Sequence, residues 1–165
     1  MSGKRRSYES GHRPKFMVVV DQTPECARAV HFASRRTART GASMIMLAVV
    51  DPPDNFEWLG VGEAMIEEAS EEAQKWLDAA AREARSAAGV DPEQVIRVGV
   101  RADEIMKLIN EDEDISFLVL AAGSAKEGPG PLVSTLAGRS AASFPVPIVI
   151  VPGSLTDEEI DALAG

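Results

Sequence analysis

Five short apolar runs, separated by longer segments of helical periodicity, constrain this chain more than any other feature. FMVVV at 16–20, SMIMLAVV at 43–50, QVIRV at 94–98, SFLVLAA at 116–122 and PIVIV at 147–151 have strand length and are rich in β-branched residues. Runs with so little polar alternation suit strands covered on both faces. Thr23, Pro24 and Glu25 read as N-cap, first helical position and first-turn acid of a first helix. Cys26, Val30, Ala33 and Thr37 keep the spacing of its buried stripe, and Gly41 suits the left-handed turn that ends it. After Asp51, Pro52 and Pro53 the chain reads as a loop to Gly62. A long second helix is expected from Met65, with Ala69, Ala73, Trp76, Ala80, Ala84 and Ala87 on its small face. Ile105, Leu108 and Ile109 mark a third helix and residues 134–143 a fourth. Thr156 with Glu159 forms a capping box for a short terminal helix within 153–165.

Parallel strands cannot be joined by hairpins, and right-handed helical crossovers between them place helices on both faces of the sheet. The expected fold is therefore α/β, a single doubly wound five-stranded parallel sheet. With 165 residues, 45% of them apolar, the chain suffices for one core, and the domain is placed at residues 15–152. Sheets of this kind bind ligands at the carboxyl edge, where strand order reverses. The residues to watch are then Asp21 after the first run, Val50 and Asp51 after the second, and Gly123 after the fourth.

The formal charge of -9 hides an asymmetry. Lys4, Arg5, Arg6, Arg13 and Lys15 face only Glu9 within the first fifteen residues, so the rest is more acidic still. Such a body repels a phosphate backbone, which argues against nucleic acid as a partner. Residues 1–14, basic and without apolar periodicity, are expected to form a disordered tail. Cys26 is the sole cysteine, so no internal disulfide can form, and a small apolar role fits it better than that of a nucleophile. No apolar stretch is long enough to span a bilayer, and no leader is apparent. The expected location is cytoplasmic, with no membrane partner.

Several stretches taken together resemble the universal stress protein family. VVVDQTPEC is similar to the family's first strand and its following Asp, and LAVVDP to its second strand with the residues that face adenine. GVRADEI resembles the Gly-x-Pro-Ala-x-x-Ile entry to the third helix, with Arg101 in the proline position. FLVLAAGS and FPVPIVIV match the end of the family domain. The resemblance implies an adenine nucleotide alpha hydrolase-like sheet of order 3-2-1-4-5 and a homodimer paired through the last strand. Residues 147–151 suit that role as an apolar edge; the alternative is an edge blunted by Pro147 and Pro152.

The resemblance also implies a phosphate loop, Gly-x2-Gly-x9-Gly followed by Ser or Thr, whose amides close on a triphosphate at a helix N-terminus. Here GSAKEGPGPLVST keeps Gly123 but has Lys126 at the second glycine. Counted back from Pro147, the Gly-Ser pair falls on Ser134 and Thr135, so the hydroxyl survives and its glycine does not. Pro129 and Pro131 remove two amides, while Lys126 offers a point charge in partial compensation. The loop reads as a remnant: no cofactor is expected, and ATP with Mg, which the family implies, should bind weakly or not at all. Asp21 implies contact with the nucleoside part of a ligand, with capping of the turn into the first helix as its equal alternative. Val49 would offer main-chain groups to a base.

Four functions remain open at this stage. The first is a non-enzymatic regulatory homodimer of the universal stress type acting on protein partners that the sequence does not identify. The second is a protein of the same family that binds ATP or ADP at the carboxyl edge of the sheet. The third is an ATP-hydrolysing or adenylating enzyme on the same fold, for which neither a Walker pattern nor a Ser-Gly-Gly pyrophosphate signature is present. A ligand-free interaction module, whose sheet edge and acidic helices bind partner proteins, is a separate reading that a nucleotide retained on purification would tell from the first.

Overall fold

A computed structural model describes residues 4–52, 59–124, 128–139 and 141–165, with the side chains of 59–61 and 139 left out. Five strands, β1 (Lys15–Val19), β2 (Ser43–Val50), β3 (Glu93–Val98), β4 (Ile115–Ala122) and β5 (Ile148–Pro152), form one sheet of order β3-β2-β1-β4-β5. Every pairing is parallel, with Val19 opposite Leu47 and Val18 opposite Val119. This is the doubly wound fold expected from the alternation of apolar runs and helices.

The period-2 geometry of the strands splits the core into two layers. Val18, Met44, Met46, Ala48 and Val119 point to the face covered by α1 (Cys26–Thr40), α2 (Leu59–Ala88) and the terminal α5 (Asp157–Leu163). Met17, Ile45, Leu47, Leu118 and Leu120 point to the other face, against α3 (Arg101–Glu111) and the short α4 (Pro131–Ser134). Leu77, Ile105, Ile109 and Leu118 are fully buried, and each such side chain contributes roughly 1.5–3 kcal/mol relative to exposure. Trp76 is half-buried and packs on the first layer. Phe16 stacks on Phe117 at 4.1 Å between centroids, tying β1 to β4.

Local expectations meet mixed outcomes. The α1 stripe is buried, and Gly41 ends the helix at φ 73° with its N–H on the Thr37 carbonyl. The N-terminus of α1 differs: Glu25 takes the cap position without a side-chain bond, and Thr23 lies outside the helix. The Thr23 hydroxyl and amide are drawn to Asp21 instead, which removes them from the role of cap. α2 begins at Leu59, not Met65; Gly60 and Gly62 cost about 1 kcal/mol each relative to Ala, which a thirty-residue helix absorbs. The helix placed at 134–143 is also corrected. α4 starts at Pro131, whose missing amide is no loss at a helix start, and the chain widens into a π-turn at Thr135–Arg139 before a 3-10 turn at Ala141–Ser143. The capping box of Thr156 and Glu159 is present on α5.

The expectation of a disordered tail over 1–14 is corrected for residues 4–14, which fold back on the corner between α3 and β4. Arg5 Nη1 donates to the carbonyls of Ile109 (2.7 Å) and Asp112 (3.0 Å), and the Arg6 amide to that of Glu113. His12 Nδ1 lies 2.7 Å from Asp114 Oδ1, and Ser7 is buried. The Arg5 side chain thus finds carbonyls at the C-terminal end of α3, where partial negative charge collects, while Lys4 and Arg6 pair with Glu9 and Glu113.

Candidate functional site

The carboxyl ends of β1 and β4 separate where strand order reverses, and that crevice is the place to look for a site. Asp21 stands just past β1. Its Oδ1 accepts from the Thr23 amide (2.9 Å) and hydroxyl (2.5 Å), which locks the turn into α1. Its Oδ2 lies 3.9 Å from Arg101 Nη1 on the first turn of α3. Of the two roles open to Asp21, the structure displays the turn contact directly, while Oδ2 stays turned toward Arg101.

The crevice itself is small. A cavity of about 60 Å³ is lined by Asp21, Thr23, Glu25 and Arg101 on one side and by the Pro129–Val133 segment on the other. That is room for very few waters. One described amide after β4 is already spent, the Gly123 N–H on the Pro129 carbonyl at 3.0 Å, and within α4 the Ser134 N–H donates to Gly130 and the Thr135 N–H to Leu132 and Pro131. A Cβ at Gly123 would meet Glu25 Oε1 and the Gly128 carbonyl, each at 3.1 Å, so glycine serves close packing here. Gly153 is tighter, since a Cβ there would sit 2.6 Å from the Ala122 carbonyl that its own N–H binds.

Of the larger cavities that flank the crevice, Arg101 borders two. One, of about 250 Å³, is walled by Val49, Val50, Ala69 and Trp76 with Asp21, Gln22 and Asp51 at its polar end. The other, of about 420 Å³, lies between α3 and α4 and is bordered by Asp51, Val100, Ala102, Pro131, Leu132 and Thr135. The residues singled out in the sequence therefore disperse. Asp21 and Val49 share the first cavity, Thr135 borders the second, Gly123 and the exposed Ser134 border neither, and Lys126 lies outside the described residues.

The sequence reading gave Arg101 and Glu25 no part in this site. The signal for Arg101 was already visible as a cation in GVRADEI where the resemblance has proline. In the sequence Glu25 reads as a first-turn acid, and only the fold brings it against Gly123. Cys26 also borders the crevice, but its side chain is buried with Sγ 3.8 Å from the Val19 carbonyl. Burial pushes the thiol up to about 11, so it stays protonated near neutrality. Among the described residues, no group of three or more His, Cys, Asp or Glu is placed to hold a metal ion, and no helix is long and apolar enough to cross a membrane.

Comparison with known proteins agrees with this architecture. Universal stress protein UspA from Lactobacillus plantarum superposes with a TM-score of 0.70 at 16% identity, over 84% of this chain and 97% of that one. The universal stress protein from Archaeoglobus fulgidus in complex with dAMP does so at 0.62 and 16%, over 84% and 97%. A universal stress protein family protein from Arabidopsis thaliana with AMP bound gives 0.55 and 17%, over 88% and 94%. At such identities the likeness establishes the fold alone. A search of curated proteins returns no match. The family model, Universal stress protein family, covers residues 12–152, three residues before the boundary drawn from the sequence. With the sheet order, the carboxyl-edge site and a family match across most of its length, this chain belongs to the universal stress protein family.

Proposed function

We propose that this chain is a non-enzymatic regulatory member of the family that acts as a homodimer through β5 and binds ATP weakly or not at all. The observation that carries the reading is the crevice between β1 and β4. The Pro129–Val133 segment narrows it to about 60 Å³, and Asp21 and Glu25 line it against a single Arg101. A triphosphate would meet carboxylates there, and the Gly123 amide is already spent on the Pro129 carbonyl. Losing several charge-assisted bonds at about 1.5–3 kcal/mol each carries a micromolar ligand past millimolar.

Support for the dimer comes from the sheet edge. Ile150 is 37% exposed on β5, which pairs with β4 on one side only among the described residues. An apolar edge with a free ladder invites a second copy. The acidic body disfavours nucleic acid, and a cytoplasmic setting is part of the same reading. Calorimetric titration with ATP and magnesium tests the first claim, with no heat below millimolar expected; micromolar affinity would overturn it. Sedimentation tests the second, with twice the monomer mass expected and its loss in Ile150→Lys.

A second reading, nucleotide binding at the carboxyl edge, draws on the relatives solved with dAMP and AMP. The cavity beside Val49 and Asp21 offers a base and a sugar more room than the crevice offers a phosphate chain.

A further inference from the structure

Arg101 is the one charged donor that borders the crevice and these two flanking cavities; no other described residue lining any of the three is a cation. Among the described residues its guanidinium donates no hydrogen bond, and its ion pair with Asp21, at 3.9 Å, is too long to be one. A guanidinium carries five N–H donors in a rigid fork suited to a phosphate or carboxylate. With its side chain one-third exposed, this one keeps that fork unspent at the shared wall of two cavities.

The cavities differ in character. The one of about 250 Å³ pairs flat apolar walls, Val49, Val50, Ala69 and Trp76, with the carboxylate of Asp21. Asp21 Oδ1 is committed to Thr23, which leaves Oδ2 as the acceptor facing Arg101. An aromatic base against Trp76 and Val49, with sugar hydroxyls donating to Oδ2, fits that chemistry. The cavity of about 420 Å³ sets the Thr135 hydroxyl and Arg101 around one space, with Asp51 on its rim. One cation offsets part of the charge of one phosphate, and one hydroxyl can donate to it. A triphosphate tail would extend its further charges toward Asp51 or toward Glu25 with no second cation among the described lining residues.

We propose that Arg101 reads the anion of the bound ligand, and that the site selects a nucleoside monophosphate over the triphosphate. The proposal rests on the second reading above, that the carboxyl edge binds a nucleotide. On binding, Asp21 Oδ2 exchanges the guanidinium for sugar hydroxyls, and Arg101 turns to the phosphate with Thr135 as the second donor. Both partners of the long ion pair gain better ones.

The test is calorimetric titration of the full chain with AMP, GMP, adenosine and magnesium-ATP. Wild type should bind AMP or GMP about ten-fold more tightly than adenosine, as one charge-assisted contact warrants, and more tightly than ATP. That preference should shrink as salt rises. In Arg101→Gln the monophosphate advantage should fall to within about two-fold while adenosine affinity holds, and Arg101→Lys should restore part of it. The adenosine arm and the salt series on wild type do not depend on the variants' folding. An unchanged preference in folded Arg101→Gln, or a salt-independent one in wild type, overturns the role of Arg101. Absence of heat with both monophosphates up to millimolar overturns the proposal and leaves the ligand-poor regulatory reading standing. Tighter binding of ATP than of AMP overturns the selectivity and, with it, the reading of ATP binding as weak or absent.

Discussion

The two ends of the sheet hold similar charges and use them in opposite ways. At the amino end, Lys15 Nζ lies 2.7 Å from Asp112 Oδ2 and 3.3 Å from Glu93 Oε2. The other oxygen of Asp112 accepts from the Asp114 amide, Asp114 meets His12, and Arg5 closes on the carbonyls that end α3. At the carboxyl end Asp21, Glu25 and Asp51 gather around Arg101, whose pair with Asp21 stretches to 3.9 Å beside open cavities. Paired charge at one end holds the fold, whereas charge left partly unpaired at the other end keeps donors and acceptors available to something else. Strand polarity sets that division. Loops after parallel strands splay apart at a reversal of order, whereas the amino end here is tied by the returning N-terminal segment.

Stability measurements should separate the ends. Replacing Asp112 with Ala leaves the Lys15 ammonium only its longer contact with Glu93 and removes the acceptor of the Asp114 amide, and should cost about 1–3 kcal/mol in chemical denaturation. Asp21→Ala at the open end should cost less, about 1 kcal/mol or under, because its turn can rebond to water. A larger loss at Asp21 than at Asp112 would break the comparison and make the carboxyl end structural.

A smaller effect sharpens the picture of the open end. Cys26 borders the crevice, yet its thiol is raised to about 11 by burial, so labelling by a thiol-disulfide reagent should be slow at pH 8 and should speed up in denaturant. Fast labelling of the native protein would show that the crevice opens more than its walls suggest.

The smallest effect concerns acid. Glu111, at the amino end of the sheet, is held below the usual carboxylate value by its hydrogen bond from Arg97, at 2.6 Å. A depressed carboxyl contributes stability above its unfolded value, near 4.5, and loses it as pH falls through the lower folded value. Wild type should therefore lose slightly more stability than Glu111→Gln between neutrality and strong acid. The pair is exposed, so added salt should shrink the difference. Equal acid profiles would remove this pair from the contrast.

Much of the architecture is legible in the sequence. Apolar runs such as SMIMLAVV leave a strand no face to turn to water, and helices between them compel parallel pairing; the parallel sheet covered on both faces follows from those two facts, and the strand order from the family resemblance. Periodicity found the stripe of α3, and Thr156 with Glu159 carries its own local bonds. Element ends were less legible. Thr23 has the chemistry of a cap, but Asp21, two residues away, competes for its hydroxyl and amide. Pro131 starts a helix that composition placed later, because a proline at the first position and one in a turn look alike in a sequence.

The site divides along the same line. Its residue types and its location past β1, β2 and β4 were set by the sequence itself, through the rule that doubly wound sheets bind at the carboxyl edge. What only the tertiary structure decided is which of those residues meet. Arg101 stands eighty positions from Asp21 in the chain, and Glu25 nearly a hundred from Gly123; the β1–β4 reversal and the docking of α3 bring each pair together. The basic N-terminal residues make the same point in reverse. Arg5 and Arg6 looked like a solvated tail because their acceptors, the carbonyls of Ile109, Asp112 and Glu113, exist as a cluster only once α3 has formed and turned into β4. Local pattern encodes elements because neighbours in the chain share a backbone period, whereas pairings across the chain depend on where a packed core places the ends of those elements.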